Sequence, residues 1–395
     1  MSIYDVVPIT AEDYRRSAKR RLPRFLFDYI EGGANDEVTV ARNVSDFDNY
    51  QLRQRVMRNV DDVSTETQLL GERATMPVAL APVGMAGMFA RRGEAQAAKA
   101  AVKRGVPFTL STVGICPVEE VVQHSGAPCW FQLYMLRDRD LIQNLLKRAE
   151  AAGCTTLVFT VDLPMPGMRL RDFRNGMLGG GALGAVSKIA QLATSPLWVF
   201  DVGIKGKPLN FGNLREVVPD PDDLTAYKSF IDAQFDRTVT WADIGWLRSI
   251  WPGKLLIKGV LEPDDALAAV DAGADGVVVS NHGGRQLDGV ASTVSKLAAT
   301  AQAVGERAEV FLDGGVRSGI DVVKALALGA DGVLMGRAWV YAMASRGEGG
   351  VSDLLRVIQD EISVAMALMG VNRVSEISAD LIESSTQHRP MELAQ

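Results

Sequence analysis

Eight short segments of the chain are almost continuously apolar. They are PVALAPV (77–83), PFTLST (107–112), CWFQLY (129–134), TLVFTVD (156–162), LLIKGV (255–260), GVVVSNH (276–282), EVFLDGG (309–315) and GVLMGR (332–337). A strand with one wet face alternates, whereas an unbroken apolar run marks a strand buried on both faces, as in parallel sheets. Helical stretches lie between them. GEAQAAKAAVKRG (93–105), DLIQNLLKRAEAAG (140–153), EPDDALAAVDAG (262–273) and SGIDVVKALALG (318–329) each carry an apolar stripe and a closing glycine. Eight alternations of strand and helix predict an α/β fold, the (β/α)8 TIM barrel. A doubly wound open sheet is the alternative, but it usually has fewer strands and a different nucleotide fingerprint.

Two stretches depart from the repeat. Residues 1–76 precede the first strand and read as a mostly helical segment, with a turn at EGGAND (31–36), suited to capping one end of the barrel. Residues 168–250 interrupt the repeat after the fourth strand and are too long for one connection, so they read as a functional insertion.

Composition narrows the class. The 395 residues are 47% hydrophobic and 23% charged, a globular balance that suits one barrel domain spanning 1–395. The net charge of −6 excludes a basic field for gripping nucleic acid. Cys116, Cys129 and Cys154 lack metal-ligand spacing and fit a reducing compartment without disulfides; no motif suggests a metal. The N-terminal MSIYDVVPITAEDYRR has no apolar core, so no signal peptide is expected. No apolar run reaches the length of about 18 residues that a membrane-spanning helix needs.

In this barrel, active sites form where strands end. The sixth segment runs into SNHGGRQLDG (280–289), where His282 stands near Arg285: a base beside an anion clamp. His124 falls in a helical stretch and His388 in the polar tail. Asp162, ending the fourth strand, either orients an imidazole or caps its loop. Gln132 and Tyr134 share one face of the third strand and need partners there. Lys258 interrupts an apolar strand, which leaves three readings: a structural ion pair, a Schiff-base lysine, or a charge facing an anionic cofactor. DGGVRSG (313–319) and GRAW (336–339) offer backbone N–H groups and the cations of Arg317 and Arg337 to a phosphate. Of Arg169 and Arg171, one is expected to reach a substrate anion and the other to form a surface pair.

With these motifs in place, the chain resembles the FMN-dependent L-2-hydroxy-acid oxidising family, which includes glycolate oxidase, (S)-mandelate dehydrogenase and bacterial L-lactate dehydrogenases. SNHGGRQ carries the resemblance, which extends from RLPRFLFDYIEGGAND (21–36) to the GRA segment. APVGMAGMFARRGE (81–94), PFTLSTVGICPVEE (107–120) and LVFTVDLPMPGMRLRD (157–172) look most like the bacterial respiratory L-lactate-oxidising members. The resemblance implies oxidation of L-lactate to pyruvate with electrons passed to quinone. (S)-Mandelate dehydrogenation, or oxidation of a 2-hydroxy acid by O2, is the alternative.

It also implies roles. His282 would be the base, Asp162 would stabilise its imidazolium, and Tyr134 would contact the substrate oxygen. Tyr29, Arg169 and Arg285 would hold the carboxylate. Lys258 would face flavin N1, while Ser111, Gln132 and Thr160 would hydrogen-bond the ring. Pro82, Val83 and Gly84 would lie against the ring, and Ser280 would join the cofactor site. Asp313 would hold the ribityl hydroxyls; Gly314, Gly315, Arg317, Gly336 and Arg337 would serve the phosphate end. Gly84 and Val113 favour a dehydrogenase over an oxidase, Gly84 by leaving room near the flavin. A homotetramer is implied as well.

Within the insertion, ALGAVSKIAQLA (182–193) sets Leu183, Val186, Ile189 and Leu192 at helical spacing, with Trp198, Phe200, Lys205 and Lys207 beyond. Residues 176–210 read either as a membrane-interface segment or as a lid packed on the barrel. The resemblance to membrane-anchored mandelate dehydrogenase favours the former, and with it a peripheral place on the cytoplasmic face of the inner membrane.

Overall fold

The computed structural model describes residues 7–178, 181–215 and 233–384. His388 lies outside them, as do parts of the insertion.

The eight apolar segments form one parallel sheet: β1 (Val78–Leu80), β2 (Thr109–Ser111), β3 (Trp130–Tyr134), β4 (Thr156–Thr160), β5 (Lys254–Val260), β6 (Gly276–Val279), β7 (Glu309–Asp313) and β8 (Gly332–Met335). β8 pairs with β1, and a parallel bridge between Leu80 and Phe108 closes the ring on the β2 side. The TIM barrel is the observed fold.

Alternation along each strand fills both faces. Trp130, Val158, Leu256, Val278, Phe311 and Leu334 point to the axis as an apolar layer, with Trp130 edge-on to Phe311 at 6.2 Å. Their neighbours Phe131, Leu157, Leu255, Val277, Leu312 and Val333 point outward into the larger core shared with the helices. Each such side chain, fully buried, contributes about 1.5–3 kcal/mol.

The surrounding helices after β1 to β3 are α4 (Gly93–Arg104), α5 (Val118–Ser125) and α6 (Arg139–Ala151). His124 sits on α5 as read. After β4 come α7 (Leu170–Arg174), α8 (Gly181–Ala193) and α9 (Trp241–Ile250). After β5 to β8 come α10 (Pro263–Asp271), α11 (Thr293–Val304), α12 (Gly319–Ala327) and α13 (Arg337–Met369), the last broken at Arg346 and Gly347. Because α9 buries Ile244 and Leu247 and leads directly into β5, it is the barrel helix of that repeat. The inserted part therefore ends before Trp241, not at 250.

The N-terminal segment also differs from the reading. It is helical only as far as Asn49, through α1 (Ala11–Arg21), α2 (Arg24–Glu31), α3 (Val38–Ser45) and a short turn at Asp46–Asn49. A strand at Tyr50–Leu52 and a hairpin at Thr67–Leu69 and Glu72–Ala74 follow. The hairpin turns at Leu70 and Gly71, both at positive φ, as a two-residue turn of this hand demands. Leu at such a position is uncommon, so the usual turn residues do not mark this hairpin in the sequence. Glu309 at the start of β7 accepts the Leu70 N–H at 2.8 Å, and Leu69 and Leu70 plug the barrel floor. The segment thus closes the floor with its hairpin while α2 and α3 cover the opposite mouth.

Candidate active site

Two residues along each strand from the apolar layer, the axis-facing positions turn polar. Gln132, Thr160, Lys258, Ser280 and Asp313 all lie there, each 6% exposed or less. Such burial demands partners. Lys258 Nζ meets Asp313 Oδ2 at 2.7 Å and donates to Ser280 Oγ at 3.0 Å. Of the open readings for Lys258, an ion pair is therefore present. Burial alone would lower the Lys258 ammonium; the charges of Asp313 and Asp162 outweigh it and hold the group above the usual lysine range. Ser111 Oγ donates to Gln132 Oε1 at 3.0 Å, and Gln132 Nε2 donates to Thr160 Oγ1 at 3.2 Å.

Above this layer the strands give way to loops. His282 Nδ1 lies 2.8 Å from Asp162 Oδ1. Burial pushes the Asp162 carboxyl up, but the His282 charge, its hydrogen bond and Lys258 prevail, leaving it below the usual carboxylate range. Asp162 therefore orients the imidazole. Sequence reasoning missed what admits it. Gly259, at φ +105° in a bulge of β5, leaves no space for a Cβ, which would fall 2.6 Å from Asp162 Cγ. A glycine interrupting LLIKGV was the available signal.

Arg169 and Arg285 both face the ring of Tyr29, their guanidinium carbons 5.3 Å and 4.9 Å from its centroid. Arg285 Nη1 also donates to the backbone oxygens of Tyr29 (2.6 Å) and Gly32 (2.8 Å). Burial, then the Arg169 charge, pushes Arg285 down to about 10. Two cations this close favour an anion between them. Arg169 lines the cavity with its Nε 3.4 Å from Asp172 Oδ2, whereas Arg171 pairs with Glu37. Tyr134 is held edge-on by Phe235 at 5.4 Å, and burial followed by the Asp162 charge raises its hydroxyl well above the ordinary tyrosine range.

A cavity of about 660 Å³ joins these groups. Tyr29, Pro82, Val83, Gly84, Tyr134, Thr160, Arg169, Lys258, His282 and Arg285 line it, and it continues to Asp313, Gly314, Gly315, Arg317, Gly336 and Arg337. Ser111, Gln132, Asp162 and Ser280 stand behind this wall and brace residues in or beside it. At Gly84, which lines the cavity, a Cβ would lie 2.8 Å from Val113 Cγ2, so the glycine permits the close approach of these two wall residues. Arg337 spends three donors on the carbonyls of Ile30, Gly283 and Gly32, at 2.8–2.9 Å. Among the described residues, Arg317 has no carboxylate partner in an ion pair, and the buried Asp313 Oδ1 has no hydrogen-bond partner. A cation whose side-chain hydrogen bond goes to the Val316 carbonyl, and a lone acceptor at the same end of the cavity, suit a ligand with hydroxyls and a phosphate.

The FMN-dependent dehydrogenase family matches residues 18–384. The chain belongs to that family. FMN is its cofactor, and the lone Asp313 oxygen and unpaired Arg317 fit that group. An L-lactate dehydrogenase of Caulobacter sp. (strain K31) is 55% identical to this FMN-dependent dehydrogenase over 370 residues, covering 94% of this chain and 97% of that protein. One from Stenotrophomonas maltophilia (strain K279a) is 54% identical, covering 94% and 98%. Among solved structures, the monotopic membrane protein (S)-mandelate dehydrogenase matches with a TM-score of 0.89 and 36% identity, covering 95% of this chain and 99% of that one. A soluble mutant of the membrane-associated (S)-mandelate dehydrogenase from Pseudomonas putida gives 0.82 and 35%, covering 96% and 100%.

Proposed function

We propose that this FMN-dependent dehydrogenase oxidises L-lactate to pyruvate and passes the electrons to quinone of the respiratory chain. One observation carries the reading: an imidazole backed by a carboxylate faces the same cavity as two arginines stacked about one tyrosine. That set matches a small anion carrying a proton to be removed. The relatives at 54–55% identity, named L-lactate dehydrogenases, favour lactate over mandelate, whose enzymes match at 35–36%.

When bound in this cavity, FMN would supply the electron acceptor for the substrate. Arg169 and Arg285 hold the substrate carboxylate, with the Tyr29 hydroxyl as a further donor. Asp162 occupies Nδ1 of His282, so Nε2 is the ring atom that takes the substrate proton, and the Asp162 carboxylate stabilises the imidazolium so formed. Tyr134, kept protonated, donates to the substrate oxygen. Lys258 supplies positive charge beside the flavin ring. Pro82, Val83, Gly84, Ser111, Gln132, Thr160 and Ser280 serve the ring side, directly or through the residues they brace. Asp313 binds the ribityl hydroxyls; Gly314, Gly315, Arg317, Gly336 and Arg337 bind the phosphate, where α13 begins.

The enzyme further associates peripherally with the cytoplasmic face of the inner membrane through residues 176–210, and it assembles as a homotetramer. In support, α8 leaves Leu183, Val186 and Ile189 64–83% exposed, and Leu197, Phe200 and Ile204 follow at 54–75%. No helix among the described residues is long and apolar enough to cross a membrane.

Anaerobic bleaching of the flavin, with L-lactate and (S)-mandelate in parallel, tests the reaction. Rapid bleaching by lactate is the expected result. Bleaching by mandelate alone overturns the substrate, and bleaching by neither overturns the reaction.

A further inference from the structure

The loop from Ser280 to Gly289 carries His282 and Arg285 but contains no helix or strand. His282 holds φ +57°, a region that is unfavourable for residues with a Cβ and persists only where surrounding contacts over-determine it. Asp162 on the His282 ring and Arg337 on the Gly283 carbonyl supply some of those contacts, and a further set comes from the N-terminal segment. Asn43 Nδ2 donates to Asn281 Oδ1, and Asn281 Nδ2 donates to Asn43 Oδ1, each at 2.8 Å. Both side chains are buried.

Neither amide is free to flip. Asn281 Oδ1 also accepts the Gly284 N–H at 3.0 Å, Asn281 Nδ2 also donates to the Ala291 carbonyl at 3.1 Å, and Asn43 Oδ1 also accepts the Thr293 N–H at 3.3 Å. α3 is docked along the same loop. Asp288 accepts the backbone N–H groups of Asp36, Val38 and Thr39, and the Ala34 N–H donates to the Gly284 carbonyl at 2.9 Å.

We infer that Asn43 is a positioning residue for the reaction. It does not line the cavity; through Asn281 it fixes the strained backbone that aims His282 and Arg285 into it. The inference rests on reading His282 as the base and Arg285 as the carboxylate clamp. A buried hydrogen-bonded pair with one allowed orientation supplies specificity of geometry beyond its modest net stability.

The test is Asn43→Asp, which keeps the shape, removes the Nδ2 donor and sets an oxygen against Asn281 Oδ1. Flavin reduction by L-lactate is measured in single turnover and expressed per bound FMN. The expected rate constant is about tenfold lower or more, the equivalent of about 1.4 kcal/mol of misplaced transition-state contact. Amide hydrogen exchange across residues 280–289 quickens in the same protein. A merely structural role lowers FMN content or the unfolding midpoint but leaves the rate per bound FMN at the wild-type value, and that result overturns the inference, as does unchanged exchange. Asp288→Ala loosens the same contact from the loop's outer side. It is expected to act in the same direction at smaller size, and it decides the matter if Asn43→Asp does not fold. His282→Gln is measured alongside. If it is inactive while both other variants are wild type, positioning by α3 alone falls. If it reduces flavin at the wild-type rate, the base reading falls and this inference with it.

Discussion

The barrel axis and helix α8 invert the usual burial rule in opposite directions. At the axis, Lys258, Asp313, Ser280, Gln132 and Thr160 are buried, each braced by another. On α8 the polar Ser187, Lys188 and Gln191 turn toward the protein, and Gln191 accepts the Phe25 N–H at 2.8 Å, while Leu183, Val186 and Ile189 face out. Buried charge demands partners and so gives rigid, directed groups. Exposed apolar surface gains nothing from water and has energy to release only on meeting another apolar phase. One region therefore holds its groups rigidly in place, and the other leaves an apolar face open to the membrane contact proposed above. Variants that strike each region separate the two roles.

The largest effect on turnover is expected at His282. His282→Ala removes the proposed proton acceptor and leaves Arg169, Arg285 and the residues assigned to the cofactor intact. Lactate-driven flavin reduction is expected to fall by about 10²–10⁴-fold. FMN stays bound, because the residues assigned to the ring and phosphate are untouched. Reduction within a few-fold of wild type, read by stopped-flow absorbance, places the base elsewhere.

Next comes the ion pair below it. Lys258→Met leaves the Asp313 carboxylate buried without its cation, a loss of about 3–5 kcal/mol. Denaturant unfolding of the FMN-free protein checks this apart from catalysis. The variant is expected to unfold at lower urea, and adding Asp313→Asn is expected to recover most of the loss. An unchanged midpoint in the single variant shows that water or another group compensates the charge and that the axis is less tightly braced than the 2.7 Å contact indicates.

How far the sequence foretold this contrast depends on the range of each signal. The barrel was legible because apolar runs buried on both faces and glycine-ended helices are local patterns, and all eight strands lie where those runs stand. Part of the cavity was legible at strand ends, where Tyr134 shares a face with Gln132 and Lys258 interrupts an apolar run, whereas Tyr29, Pro82, Val83 and Gly84 were reached only through the family resemblance. Residues that act across the chain were not. Asn43 meets Asn281 over a separation of 238 residues, and no local pattern marks either member. The space beside Asp162 depends on Gly259 of a neighbouring strand, and the floor hairpin turns on a leucine where such turns favour asparagine. The helical period of residues 182–193 was plain, but periodicity names a stripe without saying which way it faces.

The direction of that stripe is the part of the comparison that catalysis should not feel. Replacing Val186 and Ile189 by glutamate puts charge where the enzyme would meet lipid and leaves Gln191, Ser187 and Lys188 in their inward contacts. Each buried Val or Ile contributes about 1.5–3 kcal/mol, so losing two lowers partition onto vesicles by about 10²-fold or more before any repulsion from anionic lipid. Vesicle sedimentation measures that loss, and turnover with a water-soluble dye as acceptor supplies the control. Partition lost with dye-linked turnover retained sharpens the division between a region that reacts and a region that docks. Partition retained with turnover lost breaks it, because the helix would then be serving the cavity that its own Gly181 and Lys188 help to line.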